Sequence, residues 1–308
     1  MDLVKVRAPA TVANVVCGFD VLGFALDAPF DEVTLRRIDE PEIRVIHRDN
    51  FGLPTDPQKN VAGVALQAVL DAAATDIGFE IEISKNIKPG SGIGSSAASA
   101  CAAVAAANRL LGNRFSKNEM IRFAMEGERL ASGSKHADNL APCICGGFTL
   151  VRSIDPLDVI EIDFPPLFVT VIHPQIEIRT AEARGILPRD IIFKDAVRQW
   201  ANVGALDAGL SKGDEGLIAR SLEDHIVEPV RKPLIPMFDE IKAASLAAGA
   251  IGGGISGSGP SIFMLSVSEE HAKATAKAME DVYSATKITY RTYVSPIASK
   301  GVQIIDSR

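Results

Sequence analysis

Pro89-Gly90-Ser91-Gly92-Ile93-Gly94-Ser95-Ser96-Ala97-Ala98 joins two segments of different period. Before it, Phe79-Glu80-Ile81-Glu82-Ile83-Ser84 alternates apolar and polar residues, as a strand with one covered face does. After it, Ala97 to Leu111 is filled with alanine, which favours helix and lets neighbouring elements come close, and Gly112-Asn113 ends the run. The order is strand, glycine turn, helix. Glycine permits the tight turn and a close backbone approach. The amides of a helix start lack intrahelical partners and favour an anion. The stretch therefore reads as a phosphate cradle. It spells G-x-G-x-G, neither the G-x-G-x-x-G of dinucleotide folds nor a Walker loop ending in G-K-[ST]. A central Rossmann strand is apolar on both faces, whereas this strand is half polar, so the sheet is expected to be antiparallel or mixed. Of Ser95 and Ser96, one hydroxyl is placed to cap the helix and the other to reach a metal or a phosphate oxygen.

The 308 residues, 47% hydrophobic and 23% charged, suit one large globular domain or two modest ones. A net charge of −7 disfavours a general nucleic-acid binder. Asp2 and the alternation after it do not read as a signal peptide, and no uncharged apolar run is long enough to span a bilayer. Neither nucleic acid nor membrane is expected as a partner. Cys17, Cys101, Cys143 and Cys145 form no C-x-x-C pair, and the spacing of Cys143 and Cys145 is poor for zinc. Reduced, mostly buried thiols fit a cytoplasmic location.

Working outward, Leu3 to Ala8 reads as a strand. Pro9 to Asn14 and Cys17 to Gly23 form a glycine-punctuated turn region, with Asn14 and Asp20 as polar groups in apolar surroundings. Such groups either tie local backbone or face a polar ligand. Ala25-Leu26, Glu32 to Arg37 and Glu42 to His47 read as further strands. Val61 to Ala74 has helical spacing, with Asn60 as a plausible N-cap. Ser116 with Glu119 is a capping-box pattern for a helix to Leu130 that carries Glu126 and Glu128. Ala131 to Asn139 then crowds functional groups into one loop. Pro156, Pro165 and Pro166 mark a boundary between residues 1–165 and 166–308. Beyond it lie a strand at Phe168 to His173, a short helix at Thr180 to Arg184, and one long helix or two shorter ones over Ile191 to Leu210. Trp200 is read as a packing residue. Arg231 and Lys232 are either anion binders or surface charges. After a helix at Met237 to Ala248, a second glycine cluster runs from Gly252 to Pro260. Ile262 to Leu265, His271 to Tyr283 and Thr289 to Val294 complete an α+β pattern.

Three stretches resemble the motifs of the galactokinase, homoserine kinase, mevalonate kinase and phosphomevalonate kinase superfamily. They are Pro9 to Asn14 with Gly18 to Gly23, Gly90 to Ala97, and Ile255 to Ser261. Within that superfamily Ser132 to Asn139, Ala181 to Pro188 and Glu228-Pro229-Val230-Arg231 are similar to the homoserine kinase branch. The resemblance implies an N-terminal mixed α/β domain that binds ATP and a C-terminal ferredoxin-like α+β domain. It places the nucleotide against Pro89, Gly90, Ser91, Gly92, Ile93, Gly94, Ser95 and Ser96, with Asn60 toward the adenine. It assigns Mg2+ to Ser96 and Glu128, choosing Glu128 over Glu126 by its ten-residue offset from Asp138. It sets L-homoserine against Asn14, Asp20, His136, Asp138, Arg184, Arg231 and Gly257. Asp20 would take the ammonium, Arg184 and Arg231 the carboxylate, and Gly257 and Gly259 a close backbone approach. Asn14, Ser96 and Glu128 form the implied catalytic set, with no dedicated side-chain base.

The implied reaction converts ATP and L-homoserine to ADP and O-phospho-L-homoserine, a step toward threonine, and a homodimer belongs to the same expectation. Three departures from the family pattern stand out: Val16-Cys17 where Gly-Pro is common, Pro89 directly before Gly90, and Ile93 for leucine. Two other readings are another small-molecule kinase of the superfamily and a catalytically inactive nucleotide-binding regulator.

Overall fold

The computed structural model describes residues 2–178 and 180–308. Alternating apolar residues build β1 (Leu3–Ala13) and the long β2 (Leu22–Ile38), which pair antiparallel. β3 (Ile43–His47) precedes α1 (Val61–Ala73) and β4 (Gly78–Ser84). β4 is antiparallel to β2 and parallel to β3, the mixed sheet that its half-polar pattern predicts. Phe79, Ile81 and Ile83 point into the core, while Glu80 and Glu82 stay at the surface side. α2 (Ser95–Leu110), α3 (Lys117–Ser132) and α4 (Leu140–Cys145) follow. Residues 97–107 of α2 are all buried, and their small side chains let α1, α3 and β1 pack close to its axis. Gly127 is where α3 crosses α1, since a Cβ there would lie 2.3 Å from the Val61 carbonyl oxygen. That close crossing sets the depth of its neighbour Glu128. β5 (Phe148–Ile154) joins β2 and pairs with β6 (Leu157–Ile162).

The second sheet starts with β7 (Phe168–Pro174). It continues through α5 (Thr180–Gly185), α6 (Phe193–Lys212), α7 (Glu215–Ser221), α8 (Glu228–Arg231) and α9 (Phe238–Ala247) to β8 (Gly252–Ile255), β9 (Ile262–Ser266), α10 (Glu269–Ser284) and β10 (Tyr290–Pro296). Its order, β10-β7-β9-β8, is antiparallel throughout. This is the ferredoxin-like β-α-β-β-α-β arrangement. The last strand, β11 (Gln303–Ser307), returns to the first sheet and pairs with β1, so the sheet assignment does not follow a simple cut at 165/166.

Several sequence expectations are corrected. β1 continues through Pro9 to Ala13, with a register irregularity between Pro9 and Thr11 that accommodates the proline. The two strands expected between Ala25 and Arg37 are one strand. β6 and β8 were not expected, and β8 is hidden by its glycines. A Cβ on Gly253 would come within 2.1 Å of the Phe263 carbonyl oxygen, so close strand approach explains that composition. Neither Ser95 nor Ser96 caps α2; Gly94, in the left-handed region at φ 70°, is the N-cap. Ile191 to Leu210 gives a single helix. Trp200 is not a packing residue: it is 63% exposed.

Candidate active site

The glycine loop is held from three sides. Beneath it, buried Lys85 donates to Asp31 Oδ2 at 2.6 Å, to the Ser95 carbonyl at 2.9 Å and to Ser99 Oγ at 2.8 Å. Asp31 Oδ1 accepts from the amides of Asn86 and Ile87. On one flank, a Cβ on Gly94 would overlap Thr11 Oγ1 of β1. On the other, Ser256 and Ser261 donate to the carbonyls of Gly92 and Ser91 at 2.8 and 2.6 Å. Gly92 has φ 81°, and a Cβ there would lie 2.6 Å from the Gly259 carbonyl oxygen, so a larger residue does not fit. The second glycine cluster thus braces the first. Among the described residues no side-chain cap is seen at the N-terminus of α2, which opens onto a cleft of about 560 Å3. Such an N-terminus is suited to an anion.

Pro89, Gly90, Gly92, Gly94, Ser95 and Ser96 line this cleft. Ser91 and Ile93 turn their side chains inward and are buried, so only their backbone is available to a ligand. Asn60 is the N-cap of α1, its Oδ1 accepting from Ala62 and Gly63. Its Nδ2 donates to the Pro54 carbonyl and faces His47 Nε2. Leu53 and Val61, on either side of it in sequence, line the cleft instead.

Ser96 Oγ donates to Glu128 Oε2 at 3.0 Å across the gap between α2 and α3. Burial pushes the Glu128 carboxyl up to about 7, against the pull of the Ser96 hydrogen bond. Burial likewise pushes Asp138 up to about 7, and the nearby charges of Asp20 and Glu128 add to it. Glu126, the alternative on the same helix, pairs with Lys135 at 2.6 Å outside the cleft. The loop from Ser132 to Asn139 delivers His136 and Asp138 to the cleft wall. Burial lowers the His136 pKa, against the pull of the Asp20 charge.

At the other end, the left-handed turn Asn14-Val15-Val16 (φ 73°, 41° and 60°) throws Asp20 over the cleft. Positive φ at a β-branched residue is strained, by about 1–3 kcal/mol. Glycine at position 16 would relieve it. Asn14 Oδ1 accepts from the Asp20 amide at 2.9 Å, and its Nδ2 donates to the Gly257 carbonyl at 2.7 Å. Asn14 therefore ties the first motif to the third. Gln199 supports the same turn through the Cys17 carbonyl at 2.8 Å. Arg184 makes a bidentate pair with Asp20 at 2.9 and 3.1 Å. The residues expected to take opposite ends of one ligand thus pair with each other. Arg231 is buried, donates to the Ala183 and Gly257 carbonyls, and pairs with no carboxylate among the described residues. Burial, then repulsion from Arg184, lowers its pKa. Asp224 accepts three backbone amides at the start of α8 and so fixes the short helix that carries Arg231.

A larger cavity of about 920 Å3 lies between α1 and α3, lined by none of these expected site residues, so volume alone does not locate the chemistry. Lys85, Asp31, Gln199 and Asp224 were missed from sequence. Asp31 and Lys85 are 54 positions apart, with no local pattern to join them.

Residues 60–147 match the model for the GHMP kinases N terminal domain, and residues 205–285 match GHMP kinases C terminal. A homoserine kinase of Chloroherpeton thalassium is 49% identical, covering 97% of this chain and 98% of that relative. The chain belongs to the GHMP kinases, in their homoserine kinase family. A homoserine kinase of Chlorobium phaeovibrioides is 48% identical over 99% of this chain and all of its own. The solved homoserine kinase from Cytophaga hutchinsonii has 52% identity and a TM-score of 0.95, covering 99% of this chain and 98% of that one. Mevalonate kinase from L. major, at 19% identity and TM-score 0.72, shares the fold. Homoserine kinase membership accounts for the spread of motifs over both sheets.

Proposed function

We propose that the chain transfers the γ-phosphoryl group of ATP to the hydroxyl of L-homoserine, giving ADP and O-phospho-L-homoserine on the route to threonine. One observation carries the reading. A buried Arg231 without a carboxylate partner among the described residues faces the same cleft as the start of α2. A site with a phosphate end and a carboxylate end fits an amino-acid alcohol better than a sugar.

Phosphoryl transfer depends on alignment and charge stabilisation more than on covalent help from the protein. The α2 amides and the backbone of Gly90 to Ser96 receive the phosphates. Ser96 and Glu128 supply hard oxygen donors 3.0 Å apart, a set that fits Mg2+ when phosphate and water complete the shell. The metal, when bound, neutralises phosphate charge. Arg231 takes the substrate carboxylate as a charge-assisted hydrogen bond. The zwitterion exchanges into the Asp20–Arg184 pair, its ammonium replacing Arg184 at Asp20. Asn14, His136 and Asp138 orient the hydroxyl. Gly257 brings the backbone close. A division into an ATP-binding part, residues 1–165, and a ferredoxin-like part, residues 166–308, belongs to the same reading, with β11 returning to the first. No helix among the described residues is long and apolar enough to cross a membrane.

The product tests the proposal. Incubation with ATP, Mg2+ and L-homoserine is expected to give a new phosphomonoester signal in 31P NMR, and a product heavier than homoserine by one phosphoryl group. Release of inorganic phosphate without that product would overturn it.

A further inference from the structure

An α-amino acid carries its ammonium nitrogen and its carboxylate carbon on one carbon, about 2.5 Å apart, so two receptors that take both ends must keep a fixed spacing. The side chains read here as those receptors come from distant parts of the chain. Asp20 hangs from the left-handed turn that begins at Asn14. Arg231 closes α8, whose entry is fixed by Asp224, accepting from the amides of Ile226, Val227 and Glu228. One side chain touches both supports. Gln199, buried on the inner face of α6, donates from Nε2 to the Cys17 carbonyl at 2.8 Å and accepts at Oε1 from the His225 amide at 3.2 Å. Cys17 lies inside the turn that carries Asp20, where the Gly18 amide closes back on the Asn14 carbonyl at 2.8 Å. His225 directly follows Asp224. Three residues along the same face of α6, Asn202 Nδ2 donates to the Glu223 carbonyl at 3.0 Å, so the helix grips the chain on both sides of Asp224.

The chemistry that position 199 can accept is narrow. A backbone carbonyl only accepts and a backbone amide only donates, so the side chain between them must do both with one terminal group. Lysine donates without accepting, and an ionised glutamate accepts without donating. Asparagine, one methylene shorter, reaches only one of the two from the same backbone position. The two partners stand 182 and 26 positions away in sequence, so nothing local to α6 demands a buried amide there. Its neighbours on the buried face, Leu206, Gly209 and Leu210, pack without polar side chains.

We propose that Gln199 is a positioning residue that sets the spacing between Asp20 and Arg231, and so makes the cleft require an ammonium and a carboxylate on the same carbon. It lies outside the cleft lining and acts only through the two turns. The inference rests on the homoserine reading of the cleft. Turnover at saturating ATP and Mg2+ is measured with L-homoserine, with 4-hydroxybutanoate, which lacks the ammonium, and with 3-aminopropan-1-ol, which lacks the carboxylate. Gln199→Met keeps a side chain of similar length without the donor or the acceptor. Its kcat/KM for homoserine is expected to fall by about tenfold or more, as loss of two buried hydrogen bonds implies, while kcat/KM for each one-ended analogue and the KM for ATP stay within about twofold. The preference for homoserine therefore shrinks, whereas a loss of folded protein lowers all three rates alike. Gln199→Asn keeps one of the two contacts and is expected to shift the preference the same way by less; it decides the matter if the methionine variant does not fold. A parent protein that prefers homoserine, with that preference unchanged in the folded variants, would overturn the role of Gln199 alone. So would an equal fall with all three substrates. A parent protein with no preference for homoserine would overturn the homoserine reading and this role with it.

Discussion

Asp138 carries the sharpest electrostatic consequence at the scale of single residues. Its carboxyl rises from an ordinary 3.8 to about 7, first through burial and then through Asp20 and Glu128. The folded state therefore holds a proton that the unfolded chain releases at lower pH. The stability this contributes is complete below about pH 4 and is lost as pH rises through about 7. Asp138→Asn cannot ionise, so the melting temperature of the ligand-free variant, relative to the parent, is expected to be higher at pH 8 than at pH 5. A constant difference across that range would contradict the burial argument. Arg231 makes a separate prediction. Arg231→Ala removes a donor from the Ala183 carbonyl and one of two from the Gly257 carbonyl, which keeps Asn14, and removes the proposed carboxylate receptor. The Michaelis constant for homoserine is expected to rise by on the order of a hundredfold, with that for ATP nearly unchanged, as loss of a charge-assisted pair implies. A change confined to ATP would refute this role.

Among the elements, the strand-loop-helix unit from Gly78 to Leu110 is held together by Lys85 and Asp31, both buried. Breaking such a pair leaves an uncompensated charge, costing about 3–5 kcal/mol. Lys85→Met is expected to lower the urea midpoint accordingly and to weaken ATP binding with it, because Ser95 and Ser99 lose their shared donor. Unchanged ATP binding in a folded Lys85→Met protein would show that the loop needs no such brace. This unit also shows what sequence can reveal. The strand period, the glycine turn and the alanine helix were legible because each is a local pattern. The capping box at Ser116 and Glu119 was legible for the same reason. Lys85 with Asp31, and Ser256 with Gly92, were not, because each contact joins distant segments. β8 was lost among glycines selected for close packing, and Trp200 misled because large aromatic residues usually pack inward.

For the whole molecule, the cleft is a joint product of both halves. The first sheet and its helices supply the α2 N-terminus, Ser96, Glu128 and Asp138. The ferredoxin-like half supplies Arg184, Arg231 and the turn at Gly257, and Asn14 links the two through the Gly257 carbonyl. The resemblance in three separated motifs anticipated this convergence. It did not anticipate that Asp20 and Arg184 would pair with each other, because a motif records residue types along the chain and not which of them meet across 164 positions. The central claim is that this joint cleft selects an amino-acid alcohol for phosphorylation. It is tested most directly by coupled ADP release with homoserine, mevalonate and galactose offered in parallel, each with and without Mg2+. Turnover is expected with homoserine, dependent on Mg2+ and well above that with the other two alcohols. Equal turnover of the three, or none with homoserine, would contradict the account.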